Sequence, residues 1–180
     1  MDYLRLSWDD IQKQCETLAK TIQGDKVAFD LIIGIARGGW VPARLLSDML
    51  GNDELYTMRV KFYDEVAKTK EKPIITHPTQ VDVTGKRILL VDDIADTGES
   101  LLTAINHLRE RRAGPVFVAT LVKKPASKFT PDLFVLETPA WVIFPWEVHE
   151  TVRSILRTKK GVEATKELKR ALIKDEELGL

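Results

Sequence analysis

The sequence has little of what builds disulfide-rich, membrane-spanning or strongly charged proteins. Its 180 residues include one cysteine, Cys15, which excludes an intramolecular disulfide and a cysteine-based metal site; we expect its side chain to be buried. No apolar run approaches the length of a membrane span, and no signal peptide precedes the first charged residues. The 27 basic and 27 acidic residues cancel, so no overall field favours an anionic partner. We therefore expect a cytoplasmic protein that binds neither nucleic acid nor a membrane.

Motifs of several enzyme classes are also missing. The sequence contains no GxxxxGK[ST] phosphate loop and no serine or cysteine elbow for acyl transfer. Its three histidines, His77, His107 and His149, are far apart and lack the spacing of paired metal ligands. The length fits one domain with an appendage. We assign residues 1–150 to that domain and residues 151–180, rich in Lys, Arg, Glu and Leu, to a helical C-terminal extension. The extension is expected to pack on the domain, with an oligomer contact as the alternative.

What the sequence does have is an alternation of apolar runs and amphipathic stretches. The runs at 29–36, 55–62, 88–91 and 116–122 predict strands, and the periodicity at 11–22, 40–50 and 101–108 predicts helices. This order predicts an α/β domain with a doubly wound, mainly parallel sheet flanked by helices, which binds ligands at the carboxyl ends of its strands. Residues 63–80, rich in lysine, threonine and proline, predict a flexible lid loop or hairpin.

The most informative stretch is residues 87–100, RILLVDDIADTGES. An apolar strand core ends in Asp92 and Asp93, and Asp96 is followed by Thr97, Gly98 and further small or polar residues that open an amphipathic segment. The pattern predicts a strand, a tight loop and a helix start. The first turn of a helix offers unpaired amides and the positive end of its dipole to a phosphate. On a purely structural interpretation, the two carboxylates end a strand and Thr97 caps a helix.

Residues 92–100, here called the signature loop, resemble the loop by which type I phosphoribosyltransferases bind 5-phosphoribosyl 1-pyrophosphate. The resemblance implies that Asp92 and Asp93 contact the ribose hydroxyls and hold Mg²⁺. It implies that Asp96, near the reacting carbon and N7 of a purine, is the catalytic residue. Whether Asp96 accepts a proton or acts by its charge alone stays open. The implied phosphoribosyl and 5-phosphate site consists of Asp92, Asp93, Ala95, Asp96, Thr97, Gly98, Glu99 and Ser100.

Residues 34–39, GIARGG, resemble the pyrophosphate loop of the same family. The resemblance implies that Ala36, Arg37 and Gly38 bind the diphosphate, and that the peptide bond before Arg37 is cis. Two positions depart from the commonest pattern. Arg37 stands where many hypoxanthine-guanine enzymes have lysine, and Glu99 replaces a small residue of the phosphate turn. In the family the lid closes over the reacting centre, which makes its lysines 68, 70 and 72 candidates for diphosphate contacts.

A third set of residues concerns the base. Lys124, in a Lys-Pro pair, and Trp141 resemble the purine site of bacterial and archaeal xanthine-guanine and hypoxanthine-guanine enzymes. The resemblance implies that Lys124 donates to the purine 6-oxo group, and that Trp141 and Val142, in a small hood, line the base. An ammonium donor favours an oxo acceptor over an amino group, so adenine is disfavoured. The alternative is that Trp141 packs in the hood and Lys124 is a surface residue.

Together, these resemblances imply a Mg²⁺-dependent 6-oxopurine phosphoribosyltransferase of purine salvage. It would convert guanine, hypoxanthine or xanthine into the nucleoside 5′-monophosphate and release pyrophosphate, as a homodimer or homotetramer. One alternative is transfer to adenine or a pyrimidine. The other is a non-catalytic regulator that senses phosphoribosyl pyrophosphate. Regulators of that kind generally need an added binding domain or a basic surface, and the sequence offers neither.

Overall fold

The computed structural model of the chain describes residues 2–63 and 72–171. These residues divide into two compact units. The large unit comprises Gln12–Thr138, and the small unit is formed by the described parts of Met1–Ile11 and Pro139–Leu180. In chain order the elements are β1 (Tyr3–Arg5), α1 (Trp8–Gly24), β2 (Leu31–Ala36), α2 (Trp40–Leu50), β3 (Leu55–Tyr63), β4 (Lys72–His77), β5 (Ile88–Ala95), α3 (Glu99–Glu110), β6 (Val116–Lys123), β7 (Leu133–Glu137), β8 (Trp141–Ile143), α4 (Val148–Thr158) and α5 (Gly161–Arg170).

Six strands form the sheet of the large unit, in the order β4-β3-β2-β5-β6-β7. Every neighbouring pair is parallel except β3 and β4. In the central strand β5, all residues from Ile88 to Asp93 are buried. A parallel strand covered on both faces requires such a continuous apolar run, which is why the sequence pattern identified it.

Helices α2 and α3 cover opposite faces of this sheet. Ile33 of β2 belongs to the same buried apolar cluster as Leu101 of α3. The next residue, Gly34, faces α2, because a Cβ built on it would lie 2.9 Å from the Cβ of Ala43. Successive residues of a strand point to opposite faces, so the two helices lie on different sides. The predicted doubly wound α/β class is confirmed.

The register of the central strands brings three loops to one edge of the sheet. Gly34 of β2 pairs with Val91 of β5, and Ala95 of β5 pairs with Lys123 of β6. The segments that follow β2, β5 and β6 therefore leave the sheet side by side. These are the pyrophosphate loop, the signature loop and the residues that follow Lys123, which is the position expected for the ligand site of an α/β sheet.

The predicted lid, residues 63–80, includes a strand that the sequence analysis did not resolve. β3 and β4 pair antiparallel, with Lys61 opposite Ile74 and Phe62 opposite Pro73. Pro73 is tolerated because β4 is an edge strand of the sheet, where a missing N–H costs no ladder bond. Residues 64–71, with the candidate lysines 68 and 70, lie outside the described residues, and residue 72 begins β4.

The small unit contains a second, two-stranded sheet. β1 and β8 pair in parallel, with Tyr3 opposite Trp141 and Leu4 opposite Val142. Each strand has only three residues, too few for sequence periodicity to reveal, and neither was predicted. An apolar cluster beside them is formed by Ile143, Val148, Val152, Ile155, Leu168 and Ala171, with Tyr3 packed against it.

The composition-based expectations can be compared with the described residues. Cys15 is fully buried, as predicted. None of the described helices combines the length and the apolar character that crossing a membrane requires.

Candidate active site at the carboxyl ends of the central strands

The two carboxylates of the signature loop belong to the end of β5. Asp92 and Asp93 are only 8% and 7% exposed. The Asp93 amide donates a hydrogen bond to Asp92 Oδ1 at 3.0 Å. Burial of two adjacent carboxylates requires compensating groups nearby, so this edge of the sheet is a place where cations and hydrogen-bond donors are needed.

Asp93 is directed at the pyrophosphate loop. A Cβ added to Gly38 would overlap the Asp93 carboxylate group, so only glycine fits at this position. The peptide bond between Ala36 and Arg37 is cis, as the resemblance implies. The loops after β2 and β5 are thus in direct contact, although more than 50 residues separate them in the sequence. Gly39, which the sequence analysis did not select, makes a similar approach: a Cβ there would lie 2.5 Å from the carbonyl oxygen of Val91.

The signature loop continues into the amino terminus of α3. Gly98 precedes the helix in the left-handed conformation, with φ of 81°, and brings no side chain that could cap it. Thr97 Oγ1 accepts a hydrogen bond from the Glu99 amide at 3.3 Å. The amides and hydroxyls of this turn surround the positive end of the helix dipole. Such an arrangement is suited to a phosphate.

A segment after β6, residues 124–129, supports this turn and is here called the brace segment. The Lys128 amide donates to the carbonyl oxygen of Thr97 at 3.0 Å. A Cβ on Gly98 would lie 2.7 Å from the amide nitrogen of Phe129. Lys128 Nζ also lies 2.6 Å from Glu99 Oε1. Sequence analysis missed these contacts because the brace segment has no motif of its own, and only the pairing of β5 with β6 brings it there.

The two consecutive lysines at the end of β6 have different environments. Lys123 is buried, and its ammonium lies 2.7 Å from Glu137 Oε2. The Lys124 amide donates to the carbonyl oxygen of Ala95 at 2.9 Å, which fixes this residue beside the signature loop. Burial lowers the pKa of Lys124, and the negative charge of Asp96 partly opposes that decrease. Lys124 rather than Lys123 is therefore the lysine associated with the candidate site.

Asp96 is the exposed carboxylate of this region. It follows directly on β5, and its side chain is open to solvent, whereas Asp92 and Asp93 are buried. Its charge acts on Lys124, so an acidic and a basic group lie near each other at the mouth of the candidate site. A carboxylate that can reach a ligand from solvent, next to an ammonium donor, is suited to binding a base that both donates and accepts.

The remaining predicted base residues belong to the small unit. Trp141, the first residue of β8, is 52% exposed, and Val142 is buried at 7% exposure. Behind them Phe144 and Trp146 stack with ring centroids 4.9 Å apart, and Trp8 lies 5.8 Å from Trp146. Within the small unit, Trp141 thus presents an aromatic face to solvent while its neighbours form the packed interior.

A pocket of about 550 Å³ in the large unit was not anticipated from the sequence. It begins at Ala36 of the pyrophosphate loop and is lined further along by Trp40, Arg59 and His77. Because these residues come from α2, β3 and β4, only the completed sheet brings them together.

Asp92 and Asp93 are the candidate ligands for Mg²⁺. Among the described residues no cluster of three or more His, Cys, Asp or Glu side chains forms a metal site. Mg²⁺ in enzymes that bind phosphorylated substrates is typically held by one or two carboxylates together with substrate oxygens and water. Two adjacent carboxylates, one of them directed at a loop suited to diphosphate, fit that donor set.

Comparison with known proteins identifies relatives of this arrangement. A family model described as "Phosphoribosyl transferase domain" matches residues 7–153. The xanthine-guanine phosphoribosyltransferase of Gluconobacter oxydans is 32% identical over 147 residues, covering 81% of this chain and 84% of the relative. The crystal structure of a purine phosphoribosyltransferase from Pyrococcus horikoshii has a TM-score of 0.73 at 39% identity, covering 81% of this chain and 94% of that chain.

A second solved structure extends the likeness. The xanthine-guanine-hypoxanthine phosphoribosyltransferase of Helicobacter pylori has a TM-score of 0.72 at 26% identity and covers 84% of this chain and 99% of that chain. The fold, the signature loop and these matches agree, and the family model alone spans most of the sequence. The chain belongs to the phosphoribosyltransferase family of transferases.

Proposed function

We propose that the protein transfers the 5-phosphoribosyl group of 5-phosphoribosyl 1-pyrophosphate to N9 of guanine, hypoxanthine or xanthine. The bond between C1 of the ribosyl group and the diphosphate oxygen breaks, and diphosphate leaves with its electron pair. A bond between C1 and N9 forms, and the purine loses one proton. The observation that carries the proposal is the contact of Gly38 with Asp93, because it joins a loop suited to diphosphate to an acid suited to ribose.

The donor would be bound by groups of the large unit. Thr97, Gly98 and Ser100, at the amino terminus of α3, would hold the 5-phosphate by amides and hydroxyls. Arg37 would place its positive charge beside the diphosphate, with the backbone of Ala36 and Gly38 close enough to donate. Asp92 and Asp93 would hold the ribose hydroxyls and stabilise the positive charge that develops on the sugar.

Enzymes of this family generally depend on Mg²⁺. Bound at Asp92 and Asp93, the ion would neutralise charge on the departing diphosphate. We propose these two residues as its ligands. The rest of the transition-state stabilisation falls to the protein. Carboxylates lie on the sugar side and the guanidinium of Arg37 on the diphosphate side, an arrangement that places opposite charges where each develops.

The purine would be bound by Lys124, Trp141 and Val142, with Asp96 near N7. Lys124 donates to the 6-oxo group, and Trp141 offers an aromatic face for stacking. Asp96 accepts the proton at N7, or stabilises it by charge, while N9 attacks C1. The names of the relatives, which act on xanthine, guanine or hypoxanthine, support the 6-oxopurine class. A homodimer or homotetramer in the cytoplasm completes the proposal.

The test is to incubate the protein with the phosphoribosyl donor, Mg²⁺ and each of five bases: guanine, hypoxanthine, xanthine, adenine and uracil. Mass spectrometry then identifies the nucleotide formed. We expect the three 6-oxopurines to yield nucleotides and adenine and uracil to yield little. Preferential formation of AMP or UMP would assign the protein to another base. Donor binding by calorimetry without formation of any nucleotide would indicate the sensing regulator instead.

A further inference from the structure

A network of polar groups joins the two ends of the small unit. The Tyr3 hydroxyl donates a hydrogen bond to Glu167 Oε1 at 2.6 Å. Lys159 Nζ donates to the other carboxylate oxygen at 3.2 Å, and Arg170 lies 3.8 Å from it. Glu167 is only 6% exposed. A carboxylate this far removed from water is retained only with such partners, and losing one of them is costly.

The two central members of this network have matched protonation states. Burial, followed by the hydrogen bond to Glu167, raises the pKa of Tyr3 to about 12. The hydrogen bond from Tyr3 lowers the pKa of Glu167. At neutral pH the pair is therefore a phenol that donates to a carboxylate. This is a charge-assisted hydrogen bond, which is stronger than one between neutral groups.

The strand that carries Tyr3 needs such support. β1 pairs only with β8, and each strand has three residues. An isolated two-stranded pair of this length is marginal in water. Its backbone bonds are few: the Trp141 amide donates to the carbonyl oxygen of Asp2 at 2.8 Å, and the Leu6 amide donates to that of Ile143 at 3.0 Å. The position of β8 consequently depends on what fixes β1.

Helix α5 supplies that support from both polar and apolar side chains. Leu168, one residue after Glu167, belongs to the same buried cluster as Ile143 of β8, and Tyr3 packs against this cluster. Tyr3 and Glu167 both lie outside residues 7–153, the part of the chain that the family model matches. The contact therefore joins segments on either side of the shared family domain and is made by the predicted C-terminal extension.

We propose that Tyr3 and Glu167 are positioning residues for the purine, which hold β8 so that Trp141 and Val142 keep their places in the base site. The inference rests on the proposed function, because only that function makes Trp141 and Val142 base-binding residues. The extension at residues 151–180 then has a specific task. It fixes the base-binding strand through β1, without contacting the substrate.

The test compares variants in the full-length protein. Tyr3→Phe removes one hydroxyl, and Glu167→Ala removes the carboxylate. We expect each to raise the KM for guanine about three- to tenfold, since part of a charge-assisted bond is lost. The KM for the phosphoribosyl donor should stay within about twofold, because its site belongs to the other unit. Glu167→Gln keeps an acceptor for the Tyr3 hydroxyl and should resemble the wild type.

Glu163→Gln is the matched control. Glu163 is 70% exposed in its side chain and pairs with Lys159 at 3.2 Å, as Glu167 does, but it is not a partner of Tyr3 in the network. We expect wild-type kinetics from it. If both Tyr3→Phe and Glu167→Ala keep the wild-type KM for guanine, or if the KM values for both substrates rise together, the inference is wrong.

Hydrogen exchange supplies a readout that does not require activity. Mass spectrometry of peptides covering residues 139–146 should detect faster amide exchange in Tyr3→Phe and wild-type exchange in Glu163→Gln. A wild-type protein that forms no nucleotide would refute the proposed function, whereas unchanged exchange in Tyr3→Phe would refute the positioning role. The two failures are thereby distinguished.

Discussion

Replacing Gly98 by alanine tests whether the brace segment holds the phosphate turn. A residue with a Cβ at φ of 81° pays about 1–2 kcal/mol relative to glycine. The new Cβ would also lie 2.7 Å from the Phe129 amide nitrogen and 2.8 Å from its Cβ. Backbone cannot rotate out of the way as a side-chain end can, so this overlap adds about 1–3 kcal/mol. We expect a total loss of roughly 2–5 kcal/mol in the free energy of unfolding.

Gly51→Ala provides the control for this variant. Gly51 also has a left-handed φ, 63°, but a Cβ there would meet nothing within 4 Å. Its loss should therefore be the strain alone, about 1–2 kcal/mol. Urea unfolding of the two variants, analysed with a common slope, separates strain from overlap.

The functional part of the same prediction concerns the donor. Relief of the overlap requires the turn and the brace segment to move apart, which displaces the groups proposed to hold the 5-phosphate. We expect Gly98→Ala to raise the calorimetric Kd for 5-phosphoribosyl 1-pyrophosphate about tenfold or more, and Gly51→Ala to leave it unchanged. Equal stability of the two variants, together with wild-type donor affinity in both, would refute the reasoning that the brace segment sets the turn.

Four further outcomes are expected from the site and the small unit. Asp96→Asn should lower kcat about a hundredfold if Asp96 handles the purine proton, and an unchanged kcat would remove it from that role. Lys124→Ala should reduce the ratio of guanine to adenine kcat/KM; an unchanged ratio would mean that the 6-oxo donor lies elsewhere. Lys128→Ala exposes the charge of Glu99 to the 5-phosphate and should raise the donor KM about three- to tenfold, and adding Glu99→Gln should restore it; failure of that restoration would contradict the charge argument. The lowered pKa of Glu167 stabilises the fold above the ordinary carboxyl pKa of 4.5, and this contribution is lost as the pH falls through the folded value. Urea midpoints of wild type and Glu167→Gln should therefore converge on acidification, and a constant difference would contradict this linkage.

The central part of the site was predictable because its information is local. β5 is buried on both faces, so its apolar run identifies it without knowledge of its neighbours. The turn after it has small and hydroxylated residues next to each other in sequence, in the order that a phosphate site requires. For the same reason α2 was predicted with the observed bounds, Trp40–Leu50: proline at its third position and glycine after its end mark both termini.

The contacts that complete the site could not be predicted from local patterns. Glycine at position 38 is ambiguous in a sequence, since a turn and a close approach both favour it. Only the pairing of β2 with β5 brings Asp93 against it. The same holds for Phe129 and Gly98, which meet because β5 pairs with β6. β1 and β8 were missed for another reason, because strands of three residues have no measurable period.

The charges of the site explain why these long-range contacts matter for function. Asp92, Asp93 and Glu99 place three negative charges where the proposed donor brings a phosphate and a diphosphate. The opposing charges come from other loops, with Arg37 after β2 and Lys128 after β6. No single segment of the chain is electrostatically suited to such a donor. The parallel order of β2, β5 and β6 brings the balancing cations to one edge, so affinity for an anionic sugar ester is a property of the sheet register rather than of the signature loop alone.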